Sequence, residues 1–186
     1  MATGISSAPH GVIGVFDSGV GGLSVLHALV DLMPAQDFIY LADTAHCPYG
    51  PKPRAAIQAR CLAIGDWLRL QGCQQLVVAC NTATSAAVIE MRQRYGADNV
   101  VGMEPAIKPA AVLTQSGVIG VLATAVTVQG EKLHRLIDQH ASKVRVLTQP
   151  CAGWVEMVES QSVDEGRVWE HIQPLLAAGA DVLVLG

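Results

Sequence analysis

The stretch LVVACNTATS, Leu76 to Ser85, ends an apolar run on a thiol, Cys80, and sets Asn81, Thr82, Thr84 and Ser85 directly behind it. A cysteine where a strand hands over to a helix N-terminus is placed to be reactive, because the helix end and nearby donors favour the thiolate. The same position also suits a buried structural cysteine. A second group lies in FDSGVGGLSV, Phe16 to Val25, where Asp17 and Ser18 precede a turn of three glycines. The glycines only partly match a dinucleotide fingerprint, since Ser24 stands where the third glycine belongs. Asp17 would also repel a pyrophosphate. Its carboxylate suits holding an ammonium group or orienting a proton-transfer partner, or Asp17 and Ser18 simply cap the following helix. A third group is ADTAHCPYGPKP, Ala42 to Pro53, in which Tyr49 and Gly50 offer a hydroxyl and a free amide; the alternative is a surface turn with a packed tyrosine. A thiol, a carboxylate, hydroxyls and amides together suit a small zwitterion better than a nucleotide.

These groups need a scaffold that gathers them. Gln75 to Ala79 is short, apolar and β-branched, which predicts a strand buried on both faces. Thr82 to Arg94 predicts a helix with Asn81 or Thr82 as N-cap, Phe38 to Leu41 a strand, and Leu23 to Met33 a helix. Strand-like and helix-like segments alternate along the chain, the pattern of a parallel α/β protein, and in such sheets ligands bind at the C-terminal ends of the strands.

The chain also repeats itself. GVIGVFDS begins at Gly11 and GVIGVLAT at Gly117, an offset of 117 − 11 = 106. Gly72 precedes the strand that leads to Cys80, and Gly179 precedes a matching strand, DVLVLG, at an offset of 179 − 72 = 107. Two matches at nearly equal offsets predict two pseudo-equivalent lobes, each a parallel sheet flanked by helices. The expected organisation is a flexible tail at 1–10, a first lobe at 11–103 and a second at 104–186.

Composition excludes several classes. The 186 residues are 51% hydrophobic and 15% charged, enough apolar material for a real core. A formal charge of −4, with scattered lysines and arginines, supplies no footprint for nucleic acid or an anionic membrane surface. Pro109 to Gly130 is free of charge, but Gln115, Ser116, Gly117 and Gly120 interrupt it, so it reads as a turn and a strand rather than a membrane helix. Five cysteines form no C-x-x-C, and no signal peptide opens the chain, which predicts a reducing cytoplasm. His46-Cys47 is an isolated pair, so no metal site is expected.

In order along the chain, FDSGVGGLSV, PYGPK, VVACNTAT, GMEPAIKPA and VLATAVT resemble the glutamate racemases, from about Val12 to Gly186. The resemblance implies two pseudosymmetric α/β lobes with the active site between them, and a cofactor-independent isomerase that interconverts L- and D-glutamate and supplies D-glutamate for peptidoglycan synthesis. It implies that Cys80 is one of two catalytic thiols, with Asp17 in support. It further implies that Asp17 and Ser18, Tyr49 and Gly50, Asn81 and Thr82, and Thr124 bind substrate, and that Thr127 and Glu159 match site positions of the second lobe. Cys47, Cys61, Cys73 and Cys151 are left as structural, although Cys151-Ala152 departs from the family's usual Cys-Pro. Inversion needs an acid–base group on each face of the α-carbon, and a thiol, with a reference pKa of about 8.5, serves in either protonation state.

In the family, the second thiol lies in a Cys-Thr-His motif immediately after a strand like DVLVLG. The sequence stops at Gly186, so the expectation is a fragment that does not by itself invert glutamate. Partners expected by resemblance are a second copy of the chain and, for some members, DNA gyrase; no residue identifies either surface. The alternatives are a glutamate-binding or protein-interaction fragment, and a racemase for aspartate or another amino acid.

Overall fold

Strands without polar alternation need cover on both faces, and the fold supplies it twice. The computed structural model describes residues 11–186; the tail expected at 1–10 lies outside the described residues. The first sheet contains β1 (Val12–Asp17), β2 (Asp37–Ala42), β3 (Cys73–Val78) and β4 (Val100–Gly102), in the order β2-β1-β3-β4. The second contains β5 (Val118–Ala123), β6 (Arg145–Pro150) and β7 (Val182–Leu185), in the order β6-β5-β7. All pairings are parallel.

The repeat in the sequence is the repeat in the fold. The two GVIGV runs form the central strands β1 and β5, and each pairs with the next strand in sequence on one side. Gly11 and Gly117 enter these strands at φ of +71° and +74°, a conformation that favours glycine. The correspondence extends to single hydrogen bonds past the strand ends. Ala79 N–H donates to the Phe16 carbonyl at 2.8 Å, and Gly186 N–H donates to the Leu122 carbonyl at 2.9 Å.

On one face of the first sheet, Phe16, Leu76 and Val78 pack with Ile57 and Leu68 of α2 (Arg54–Leu70) and with Ala83 and Met91 of α3 (Asn81–Tyr95). On the other face, Ile13, Val15, Val77 and Ala79 meet Val25, Leu26 and Leu29 of α1 (Leu23–Leu32). The second sheet is covered likewise. Ile119, Val121 and Val184 pack with Ile107 of α4 (Ile107–Leu113) and with Leu133 and Leu136 of α6 (Glu131–His140). Leu122 packs with Leu175 of α8 (Glu165–Ala177).

Helix α3 joins the two halves. It packs on α2 and also touches α6 and α5 (Ala125–Gln129). A helix contacted from several sides cannot carry a single apolar stripe. Its first half is accordingly small and buried: Ala83, Thr84, Ala86 and Ala87. The charge-free Pro109–Gly130 segment resolves into the end of α4, a turn, β5 and α5. No helix among the described residues is long and apolar enough to cross a membrane.

Candidate active site

The C-terminal ends of the strands in both sheets converge on one cleft of about 460 Å³, within the usual range for small-molecule sites. The first half contributes Asp17, Ser18, Ala79, Cys80, Asn81, Thr82 and Met103, and the second contributes Leu122, Thr124, Cys151, Trp154, Val158, Glu159 and Gly186.

Cys80 is itself the N-cap of α3, where Asn81 or Thr82 was expected. Its backbone is extended, at φ −113° and ψ 121°, and its Sγ accepts the Ala83 N–H at 3.4 Å. The sulfur takes the place of a capping hydroxyl, as a weaker and longer acceptor. Ser18 Oγ lies 3.6 Å from the same sulfur.

The helix-end N–H and the neighbouring hydroxyl favour the thiolate as expected, but they are opposed by larger effects. Burial, followed by the charge of the neighbouring Asp17, pushes the Cys80 thiol up to about 12, against the opposing help of the Ala83 N–H and the Ser18 hydroxyl. One helix-end N–H does not offset desolvation together with an adjacent anion. Alkylation of Cys80 in the ligand-free protein should therefore keep rising about tenfold per pH unit through about pH 10, well past the ordinary thiol pKa of about 8.5. A rate that levelled off near pH 8.5, followed by peptide mass mapping, would contradict this.

Asp17 makes the capping contacts expected of it and also faces the cleft. Its Oδ1 accepts Ser18 N–H at 2.7 Å and its Oδ2 accepts Gly22 N–H at 2.7 Å, so it caps the turn that enters α1. It also lines the cleft beside Cys80, and a carboxylate has acceptor sites beyond those two. Asn81 lines the cleft too, and its Oδ1 is buried without a hydrogen-bond partner among the described residues. Across the two halves, Thr82 Oγ1 lies 2.9 Å from Thr124 Oγ1, which in turn lies 3.2 Å from Thr127 Oγ1. Glu159 ends α7 (Trp154–Glu159) and also lines the cleft.

Tyr49 and Gly50 are placed differently. Tyr49 is 1% exposed, and its hydroxyl donates to Asp43 Oδ2 at 2.7 Å, so the packed-tyrosine alternative describes the side chain. Gly50 faces the Thr124 side chain and lines a smaller neighbouring hollow rather than the cleft.

Sequence reasoning missed the residue that organises this loop, Asp43. Its buried carboxylate accepts from Tyr49, from Arg60 at 2.7 and 3.1 Å, and pairs with His46 Nδ1 at 2.9 Å. Burial raises the pKa of this carboxyl, but the Arg60, Tyr49 and His46 contacts outweigh it and hold the group below its usual value. The available signal was its position: Asp43 follows β2 as Asp17 ends β1.

Asp43→Ala strands the buried Tyr49 hydroxyl and leaves Arg60 without its partner, and should cost about 3 kcal/mol of unfolding free energy, read by urea denaturation. Because the folded-state pKa is depressed, the Asp43 contribution is fully present above about pH 4 and is lost as pH falls further. A wild-type midpoint in the variant would remove the network from the stability argument.

Two like parallel sheets that aim a thiol, carboxylates and hydroxyls into a shared cleft define an α/β acid–base enzyme for a small polar substrate. Residues 13–186 match the family model described as Asp/Glu/Hydantoin racemase, and the chain belongs to that family. It is 50% identical over 185 residues to a glutamate racemase of Ectopseudomonas mendocina (strain ymp), spanning 97% of this chain and 69% of that protein. It is 50% identical over 184 residues to a glutamate racemase of Pseudomonas putida (strain W619), spanning 97% of this chain and 68% of that protein. Among solved structures, Escherichia coli glutamate racemase in complex with L-glutamate and the activator UDP-MurNAc-ala superposes with a TM-score of 0.86 at 37% identity, covering 96% of this chain and 69% of that one. The Francisella tularensis glutamate racemase in complex with D-glutamate gives 0.78 at 29% identity, over 92% of this chain and 66% of that one.

Proposed function

We propose that the cleft takes glutamate and that Cys80 is one of two groups that exchange its α-proton, interconverting the enantiomers. The observation that carries this reading is the placement of Cys80. It caps a helix N-terminus inside the cleft, with Ser18 at 3.6 Å and the Asp17 carboxylate adjoining.

Asp17 and the free Asn81 Oδ1 are acceptors suited to the substrate ammonium group. The N-terminus of α3 and the hydroxyls of Thr82 and Thr124 are suited to its carboxylate. Burial and, after it, the Asp17 charge hold the Cys80 thiol protonated; an ammonium arriving beside Asp17 offsets the second of these and so favours the thiolate when substrate is bound. Donors around the substrate carboxylate then stabilise the carbanion-like transition state. The resemblance to glutamate racemases supports a second thiol on the opposite face of the substrate. Gly186 stands to β5 as Ala79 stands to β1, and it lines the cleft together with Cys80. The same resemblance supports a cytoplasmic role in making D-glutamate for the cell wall.

The test is incubation with each enantiomer of glutamate and of aspartate in D₂O, following α-proton loss by NMR. Exchange from glutamate well above that from aspartate is expected. Faster exchange from aspartate would reassign the substrate, and binding without exchange would leave a binding protein.

A further inference from the structure

The peptide group between Gly19 and Val20 is gripped at both ends. Its carbonyl accepts the Tyr40 hydroxyl at 2.9 Å, a contact within the first half. Its N–H donates to Glu159 Oε1 at 2.8 Å, a contact that crosses to α7 in the second half. The approach is close: a Cβ on Gly19 would stand 2.0 Å from that oxygen and 2.6 Å from the carboxyl carbon. Gly19 is not among the positive-φ glycines, so the carboxylate rather than the backbone requires glycine there.

The turn held in this way follows Asp17 and carries Ser18 beside Cys80, while α7 carries Trp154, Val155 and Val158 along the opposite wall. We infer that the Glu159–Val20 hydrogen bond is a latch across the mouth of the cleft. Closed, it draws the Ser18–Gly22 turn against α7 and keeps Cys80 at 7% exposure; open, it lets a ligand pass. Glu159 is then a positioning residue that acts through the turn. The latch governs access to Cys80 whatever amino acid the cleft takes, so its test is independent of the substrate assignment.

The experiment measures the alkylation rate of Cys80 at fixed pH by peptide mass mapping. Glu159→Ala removes the acceptor and should speed alkylation about tenfold, whereas Glu159→Gln keeps an oxygen for the Val20 N–H and should stay within about twofold of wild type. Gly19→Ala provides an independent opening: its methyl displaces only the end of a flexible side chain, and it should match Glu159→Ala. Equal rates in wild type and Glu159→Ala would overturn the latch, as would an unchanged rate in Gly19→Ala. Equal acceleration in Glu159→Ala and Glu159→Gln would also overturn it, because the charge and not the hydrogen bond would then be controlling the thiol.

Discussion

Cys80→Ser should lower solvent exchange of the glutamate α-proton by about 10²–10⁴-fold, the range typical for loss of a positioned acid–base group. A serine hydroxyl is too weak an acid to give up its proton near neutrality, so the variant lacks the base while keeping nearly the same shape. The fold should not suffer. Cys80 caps α3 through a long Sγ contact to Ala83 N–H at 3.4 Å, and serine is among the preferred N-caps. The expected signature is therefore lost exchange with glutamate binding within a few-fold of wild type and a melting temperature that does not fall. NMR in D₂O, calorimetric titration and thermal unfolding separate the three. Exchange at the wild-type rate would show that another group in the cleft removes the proton.

Asp17 should divide its effects between function and stability. Asp17→Asn and Asp17→Ala both remove the charge offered to an ammonium group, and both should lower kcat/KM for α-proton exchange by about 10- to 100-fold, the equivalent of a charge-assisted hydrogen bond of about 1.5–3 kcal/mol. Their stabilities should differ. Alanine loses the bonds to both Ser18 N–H and Gly22 N–H, worth about 1 kcal/mol as a cap, whereas asparagine keeps one acceptor. Both variants should also alkylate faster at Cys80, because the anion that helps hold the thiol protonated is gone. If activity instead followed melting temperature, with asparagine near wild type, Asp17 would be a cap and nothing more.

The cleft shows why some site residues were legible in the sequence and others were not. Asp17, Ser18, Cys80, Asn81, Thr82 and Thr124 all lie at or directly after the ends of predicted strands, and a parallel sheet turns that local position into a shared edge. Trp154 and Val158 sit on a six-residue helix whose sequence marks no strand end, and they reach the cleft only because the second half folds back on the first. Tyr49 shows the opposite limit on what a local motif tells of a side chain. A tyrosine in a proline-bounded loop suggests an offered hydroxyl, but Asp43 captures it in the core. Nothing local to Tyr49 reveals Asp43's other partner Arg60, seventeen positions away on α2.

By itself the sequence determined the parallel α/β class, the repeat at an offset of 106 to 107 residues, and the strand-to-helix seat of the thiol. These are consequences of apolar runs, glycine positions and short motifs, which act over a few residues. Only the tertiary structure decided the burial of Cys80 beside Asp17 that raises its pKa, the capture of Tyr49 by Asp43, and the bond from Glu159 to the Val20 peptide. Each of these depends on burial or on a partner distant in the chain. Desolvation and Coulomb interactions respond to position in space, and neither can be read from neighbouring letters.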